Sequence, residues 1–482
     1  MPDKYIRKAI KSVRWSFLGE LANRLISPFI TLILVRILSP DIFGIFGAVM
    51  AIFLLLETFA DLGITKALIR MDKKKFLKSA DTAFWALISF SVFLYLIIFI
   101  LSPLVANFYH TPIVKTLMRI LALDSFLPGA VFSANLQRNF KFNKIFISGG
   151  LSLIIPGLVT IPLALLGYGI WSFVIGNLVS SLINFLYIFY VSGWRPKLNF
   201  KFNIAKSLIR SNFWIISENI LLWFFPYGEF VIVGHYLGTQ TLGLYQTAFS
   251  VLNLFFGIAI GHSIPVSYAL FSKVRSDQPK LRNLIMKITQ LIGTISFPLG
   301  IAISLLAQPL STYFFGQRWL GIETIIAILG IRAAFGFLLV AMPEALRAMG
   351  RADINVKLGI IGMFYFVPFY LITIRYGIRI FALSTILIML IDMLIFMIVI
   401  NKVLKIKITF YINALKYPIL GTAVMSAVLL IIKHFLIYNN FAGFLNLILT
   451  IILAVFTYTI ILYIFQKKLL QSMLSIIKQA LT

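Results

Sequence analysis

The chain has 482 residues, 60% of them hydrophobic and 12% charged, with 43 Lys and Arg against 15 Asp and Glu for a net charge of +28. That composition excludes an ordinary soluble globular domain and reads as an all-α polytopic membrane protein. The basic excess sits in short loops beside apolar stretches, where insertion bias and anionic lipid explain it without nucleic acid.

Taken in chain order, fourteen apolar stretches of spanning length can be drawn, at 15–38, 42–64, 80–104, 113–136, 145–166, 168–192, 211–237, 241–271, 284–308, 319–344, 354–374, 378–400, 412–435 and 440–466. With a cytoplasmic N-terminus, 34 of the 43 basic residues fall in the tails and inner loops, five lie on the opposite face, and four (Arg24, Arg36, Arg119, Arg332) lie within spans. The positive-inside rule therefore assigns both termini to the cytoplasm. The first stretch is interrupted by Glu20 and Arg24 and is longer than a cleaved signal core, so it is read as a retained helix. No loop between spans is long enough to fold as an external catalytic domain, and the chain is read as not an enzyme. The chain has no cysteine, and His110, His235, His262 and His434 stand in separate segments without metal-ligand spacing. Disulfides, thiolate sites and HExxH-type metal centres are excluded, and no cofactor is expected.

The chain repeats itself. Glu20 and Pro28 match Glu218 and Pro226 at an offset of 198, Leu38 and Gly44 match Leu237 and Gly243 at 199, and Tyr168-Gly169-Ile170 matches Tyr376-Gly377-Ile378 at 208. The anchors are collinear, with a drift that small loop insertions produce. Six spans separate the copies, so both enter the membrane with the same orientation. The expected architecture is two six-helix lobes related by a pseudo-twofold axis, 1–203 and 204–403, with 404–482 adding two helices and a basic tail. Two facing lobes with substrate between them form a transporter plan that works by alternating access.

Charges inside spans are costly, about 2.5–3.5 kcal/mol for an Arg at a helix centre on insertion scales, so they normally face a cavity or a partner. Arg332 is the deepest. Glu323 on the same helix is out of phase with it, so Arg332 must meet another helix or the lumen. Arg24 has Glu20 one turn earlier, and pairing and substrate-facing roles both fit it. Arg36 and Arg119 lie near span ends from which they can snorkel. Glu57 and Asp61 share a face of the second span. At the offset of 208, Asp124 falls on Arg332 and Asn184 on Asp392. Glu20, Glu57, Asp61, Asp124, Glu218, Glu229 and Asp392 are candidates either for Na⁺ or H⁺ coupling or for ion pairs that pack the lobes. Pro28, Pro226 and Gly228 are candidate hinges, since an interior proline frees a carbonyl and bends a helix.

The stretches Ser27-Pro28-Phe29, Leu34-Val35-Arg36-Ile37-Leu38-Ser39-Pro40-Asp41-Ile42-Phe43-Gly44 and Asp61-Leu62-Gly63-Ile64 resemble the opening of Wzx-type polysaccharide flippases, the polysaccharide-transporter branch of the MOP superfamily. The resemblance implies transfer of undecaprenyl-pyrophosphate-linked oligosaccharide across the bacterial cytoplasmic membrane for surface polysaccharide synthesis. Membrane lipids, a polysaccharide polymerase and glycosyltransferases would be its partners. It also implies basic residues in the lumen for the pyrophosphate, for which Arg24, Arg332 and Arg36 are the candidates, and a lipid groove at spans 13 and 14. A drug or cation antiporter of the same superfamily and a membrane polymerase are the competing readings. The usual twelve spans argue against the first, and the missing external loop against the second.

Overall fold

The computed structural model describes residues 26–27, 29–60, 65, 68–69, 71–204, 213–261, 263–406, 408–438 and 443–481, with the side chains of Glu57 and Glu218 outside that description. Arg24, Glu20, Asp61 and Pro28, all singled out in the sequence, lie outside the described residues.

No strand occurs among the described residues. A helix at 29–37 (α1) leads into α2, Pro40–Ala60, and α3, Lys73–Phe108. Next come α4, Ile113–Leu121, a 3₁₀ turn at Ala122–Phe126, and α5, Gly129–Arg138. Then follow α6, Phe142–Leu165, and α7, Ile170–Ser192. Phe213–Ile260 is helical throughout except at Gly238, whose φ of 80° and ψ of 171° divide it into α8, 213–237, and α9, 239–260. The remainder comprises α10, Ser263–Val274; α11, Gln278–Leu305; α12, Ala307–Phe314; α13, Ile322–Gly336; α14, Ala341–Ala348; α15, Ala352–Thr373; α16, Ile378–Leu404; α17, Ile408–Tyr438; and α18, Phe444–Leu481. Eleven helices among the described residues are long and apolar enough to cross a membrane, and Pro40–Leu55 is a shorter apolar one.

By packing, the chain divides into two compact units, 1–246 and 247–482. In the first, Ile45 and Val49 of α2, Ile98 and Ala106 of α3, Leu117 and Met118 of α4 and Val174 of α7 form one core. In the second, α11 is the central element. It meets α13 where Gly300 and Gly330 face each other: a Cβ on Gly300 would stand 2.5 Å from the Gly330 carbonyl oxygen, and one on Gly330 2.9 Å from that of Gly300. Lipid tails supply no hydrophobic drive between helices, so close approach over small residues is what holds such a crossing. On the other side of α11 the two C-terminal helices dock, with Tyr458 of α18 donating to the Thr294 carbonyl at 2.8 Å and Leu306, Met425, Leu429 and Leu462 buried together.

The repeat is visible in the backbone itself. Helix α5 ends with Phe140 at φ 55° and α14 ends with Gly350 at φ 74°, 210 positions apart. In the first turn Lys141 N–H donates to Leu136 O at 2.9 Å, and in the second Arg351 N–H donates to Leu346 O at 2.8 Å. Both are left-handed helix stops of the Schellman type. Gly169 and Gly377, both at positive φ, start α7 and α16 in the same way.

Two of the drawn spans each contain a 3₁₀ turn while remaining single candidate spans. The stretch at 113–136 is α4, a 3₁₀ turn and α5, and the stretch at 319–344 is α13, a 3₁₀ turn at Phe337–Val340 and α14. Both copies carry a 3₁₀ turn here, but only the first leaves helical geometry, at Leu127 and Pro128, while the second stays helical into α14. The chain stays helical through Pro226 and Gly228, and the break falls at Gly238, where glycine alone adopts the required backbone without strain.

Candidate functional site

In the second unit a pocket of about 240 Å³ is lined by Phe249, Leu252 and Asn253 of α9, by Leu329, Arg332, Ala333 and Gly336 of α13, and by Phe337 and Val340 just beyond it. Phe249 and Asn253 are one helical turn apart and share a face. The Asn253 amide donates to the Phe249 carbonyl at 3.0 Å. Phe256 stacks on Phe337 with centroids 4.6 Å apart. Arg332 carries its guanidinium 5.9 Å from the Phe249 ring centroid, partly accessible in the pocket wall. A guanidinium against an aromatic face keeps its edge N–H donors directed outward, which suits a planar two-oxygen anion.

The charge of Arg332 also acts on Asp392 of α16, whose carboxylate accepts a short hydrogen bond from the Tyr365 hydroxyl of α15. Asp392 therefore balances Arg332 within one unit. Glu323, expected to be a poor partner for Arg332, instead accepts from the Gly321 amide at 3.0 Å at the start of α13.

In the first unit Asp124 stands in the 3₁₀ turn between α4 and α5. It has a hydrogen bond with Ser181, while its Oδ1 is buried without a hydrogen-bond partner among the described residues. Asn184, the repeat counterpart of Asp392, accepts from Ser148 at 2.5 Å, joining α6 to α7 as Tyr365 and Asp392 join α15 to α16. Glu229 is fully buried and accepts from the Tyr245 hydroxyl at 2.7 Å, which ties α8 to α9 across the Gly238 break. Arg36 is exposed, in keeping with a snorkelling position. Arg119 is not snorkelling: its Nε donates to Ser102 Oγ at 2.9 Å, its Nη2 to the Phe99 carbonyl at 3.0 Å, and the guanidinium lies 3.7 Å from the Phe99 centroid. Pro103 has no N–H to give the Phe99 carbonyl, which is left for Arg119, and the Phe99 ring lies within reach.

The first hairpin and its repeat copy meet in the same unit. A Cβ on Gly44 would stand 2.8 Å from the Gly243 amide nitrogen, and one on Gly243 3.0 Å from that of Gly44. Thr239 donates a short hydrogen bond to Asp41, and Gly47 packs on the side chain of Gln246. Gly44 with Gly243 and Gly47 with Gln246 are each 199 positions apart, and the same offset exchanges the approach of Gly44 to Thr239 with that of Gly243 to Pro40. The repeat copies therefore contact each other about a local twofold. Trp223 adds a bond to the Ala51 carbonyl at 2.8 Å.

Sequence reasoning missed Asn253, Phe249 and Tyr365. The first two were legible as a polar and an aromatic residue one turn apart inside an apolar stretch, whereas Tyr365 has no repeat counterpart to flag it. Among the described residues no three His, Asp or Glu side chains gather to hold a metal ion.

Residues 33–324 match the family described as polysaccharide biosynthesis protein. The chain is 25% identical over 321 residues to the succinoglycan biosynthesis transport protein ExoT of Rhizobium meliloti (strain 1021), a match covering 66% of this chain and 65% of that protein. It is 26% identical over 495 aligned residues to an uncharacterised membrane protein in the cps region of Klebsiella pneumoniae, covering 98% of each. Its fold is that of the lipid II flippase MurJ in an inward closed conformation, with a TM-score of 0.76 at 18% identity over 96% of this chain and 100% of the other. The matched segment spans more than half of the sequence, and the chain belongs to the polysaccharide biosynthesis protein family.

Proposed function

We propose that this protein is a flippase for undecaprenyl-pyrophosphate-linked oligosaccharide repeat units, carrying them across the bacterial cytoplasmic membrane by alternating access and catalysing no covalent step. The observation that carries the reading is the Arg332 pocket: a guanidinium set beside an aromatic ring in a membrane-embedded unit, with a carboxylate behind it on α16. A pyrophosphate offers paired oxygens to such a fork, and a charge-assisted bidentate contact is among the stronger interactions a membrane cavity can make. The family, the transport role in the name of a relative and the MurJ-like fold support the cargo class.

The finer architecture is part of the same proposal. It has fourteen spans, both termini in the cytoplasm, lobes at 1–203 and 204–403, and spans 13 and 14 as a groove for the polyprenyl tail. The contact of Gly44 with Gly243 serves as an outer closure that parts when the substrate is released outward. Arg24 and Arg36 are the further candidates to meet the pyrophosphate. Pro28, Pro226 and Gly228 are the candidate hinges, and Asp124, with its buried unbonded oxygen, is the strongest candidate among the carboxylates for carrying H⁺ or Na⁺. Polymerase and glycosyltransferases of the same polysaccharide are its expected partners.

The test is deletion of the gene followed by mass analysis of polyprenyl-pyrophosphate glycans with leaflet accessibility. Complete repeat units should accumulate on the cytoplasmic side with loss of surface polysaccharide, restored by the intact gene and not by Arg332→Ala. Unpolymerised repeat units on the outer leaflet would place the protein after translocation and overturn the reading.

A further inference from the structure

Between the end of α7 and residue 204 the chain forms no helix until its last few residues, yet it is firmly held. The Lys197 amide donates to Asp81 Oδ1 at 3.1 Å, and Trp85 Nε1 donates to the Lys197 carbonyl at 2.9 Å. Thr82 Oγ1 donates to the Asn199 carbonyl at 3.4 Å and accepts from the Lys201 amide at 3.2 Å. Positions 197, 199 and 201 thus have their backbones bonded to α3. The residues between and after them, Leu198, Phe200 and Phe202, are 91%, 52% and 70% exposed. Three large apolar side chains stand out from a segment that spends every second residue on fixing them there.

Their depth identifies what covers them. Asp81, Thr82 and Trp85 lie three to seven residues beyond Lys78, the last basic residue before the apolar stretch 80–104, which at 1.5 Å per residue is about 5–10 Å along α3. The segment therefore runs where the hydrocarbon begins. Lys74, Lys75 and Lys78 are exposed on the outward turns of the same helix, and Lys197 and Lys201 are exposed on the segment itself. The nearby carboxylate of Asp81 is engaged by the Lys197 amide. Trp85 and Trp194 stand at the same end, with the indole of Trp194 against Phe84 and Phe132, as aromatic residues do at a membrane interface.

We propose that residues 195–202 form an interfacial strap that binds anionic phospholipid: Leu198, Phe200 and Phe202 enter the acyl boundary, and Lys197, Lys201, Lys74, Lys75 and Lys78 hold the acidic headgroups. Apolar area sets the depth and the lysines set the lipid preference. The strap lies in the connection between the two repeat copies, so it ties that connection to the bilayer surface. The proposal rests on the membrane embedding of α3 and not on the cargo.

The chain has no cysteine, so Leu198→Cys, Phe200→Cys and Phe202→Cys each give one unique attachment point for a nitroxide in the full-length protein. Reconstituted in vesicles of equimolar phosphatidylcholine and phosphatidylglycerol, the three labels should be accessible to oxygen and shielded from a water-soluble nickel complex. Phosphatidylcholine alone, or Lys197→Gln with Lys201→Gln, should raise nickel accessibility of order tenfold, as expected when two basic contacts with an anionic surface are lost. Labels open to nickel in both lipids would overturn the strap. Labels shielded from both reagents would show the row packed against protein, and equal depth in both lipids would remove the headgroup preference; either result refutes the proposal as stated. Flippase activity plays no part in the readout, so failure of the cargo reading leaves this test intact.

Discussion

Alanine at Gly44 or Gly243 should push the protein out of the conformation described here. A methyl on Gly44 would stand 2.7 Å from the Thr239 carbonyl carbon and 2.8 Å from the Gly243 nitrogen, where ordinary contact begins at 3.4 Å. The Thr239 carbonyl oxygen stands closer still, so the two backbones must part by well over about 0.7 Å, and neither neighbour is a side chain that can swing away. Overpacking of this kind costs about 1–3 kcal/mol. A state in which the contact is already open does not incur that cost, so the equilibrium shifts toward it by about 5- to 150-fold. Gly243→Ala, which meets the Pro40 carbonyl carbon at 2.6 Å, should act alike. The double variant should add less than the sum, because one separation relieves both clashes. The readout is the rate at which Thr239→Cys, unique in this cysteine-free chain, reacts with a membrane-impermeant maleimide from the outer side. Gly149→Ala and Gly150→Ala, which meet no atom within 4 Å, are the controls. Unchanged labelling in both alanine variants, with the protein folded and monodisperse, would refute the argument that this contact closes the outer side.

Arg332→Ala should abolish export while leaving membrane insertion unimpaired, since a buried cation that costs about 2.5–3.5 kcal/mol is removed; loss of the folded protein would point to a structural ion pair. Arg332→Lys should keep the charge but lose the fork, lowering transport by roughly 10- to 100-fold in a vesicle assay with labelled lipid-linked glycan. Tyr458→Phe should cost about 0.5–1.5 kcal/mol by deleting the bond to Thr294, read as a lower thermal midpoint in detergent, and an unchanged midpoint would show that apolar packing alone docks spans 13 and 14. At the start of α11, the Lys280 ammonium and amide hold the Asp277 carboxyl below its ordinary value of 3.8. A lowered carboxyl stabilises the folded chain above that value and loses its effect as pH falls through the lower, folded one. Asp277→Ala should therefore lower thermal stability at neutral pH, with the difference from the parent closing at strongly acidic pH.

Much of this fold was legible because a bilayer imposes length and charge rules that a sequence displays openly. The spans from α3 to α7 and from α11 to α18 lie close to where hydropathy drew them, since twenty apolar residues between basic loops leave few other solutions. The repeat was legible too, and at more than the sequence anchors: Phe140 and Gly350 share no side-chain chemistry, yet both stop a helix at positive φ. Hydropathy is blind to such a position, because a 3₁₀ turn or a helix stop inside protein keeps the same apolar composition as a straight helix. For that reason the 3₁₀ turns within spans 4 and 10 did not appear in the sequence. The reach of Arg119 back to Phe99 and Ser102 depends on the neighbouring helix and on the carbonyl that Pro103 leaves without its helical donor, which charge counting cannot anticipate.

The closest contacts in the molecule bear on why the site residues were harder to read than the fold. In a soluble core large apolar side chains mark the packing surfaces, but in a membrane they are as content against lipid as against protein, and the surfaces are marked by what is missing. Gly44 with Gly243 and Gly300 with Gly330 are two places among the described residues where backbones come close, and none of the four contributes a side chain to a pattern. The polar groups follow the same economy. Glu229 is taken by Tyr245 and Asp392 by Tyr365, each a phenol on a neighbouring helix that counts as apolar in any hydropathy sum. A phenol on a neighbouring helix thus helps to hold each of these carboxylates, and Asp392 also feels the charge of Arg332. On this reasoning the carboxylates fix the frame, and the two glycine crossings fix where it can open. The surroundings of Arg332, Phe249 and Asn253, are brought beside it only in the folded structure.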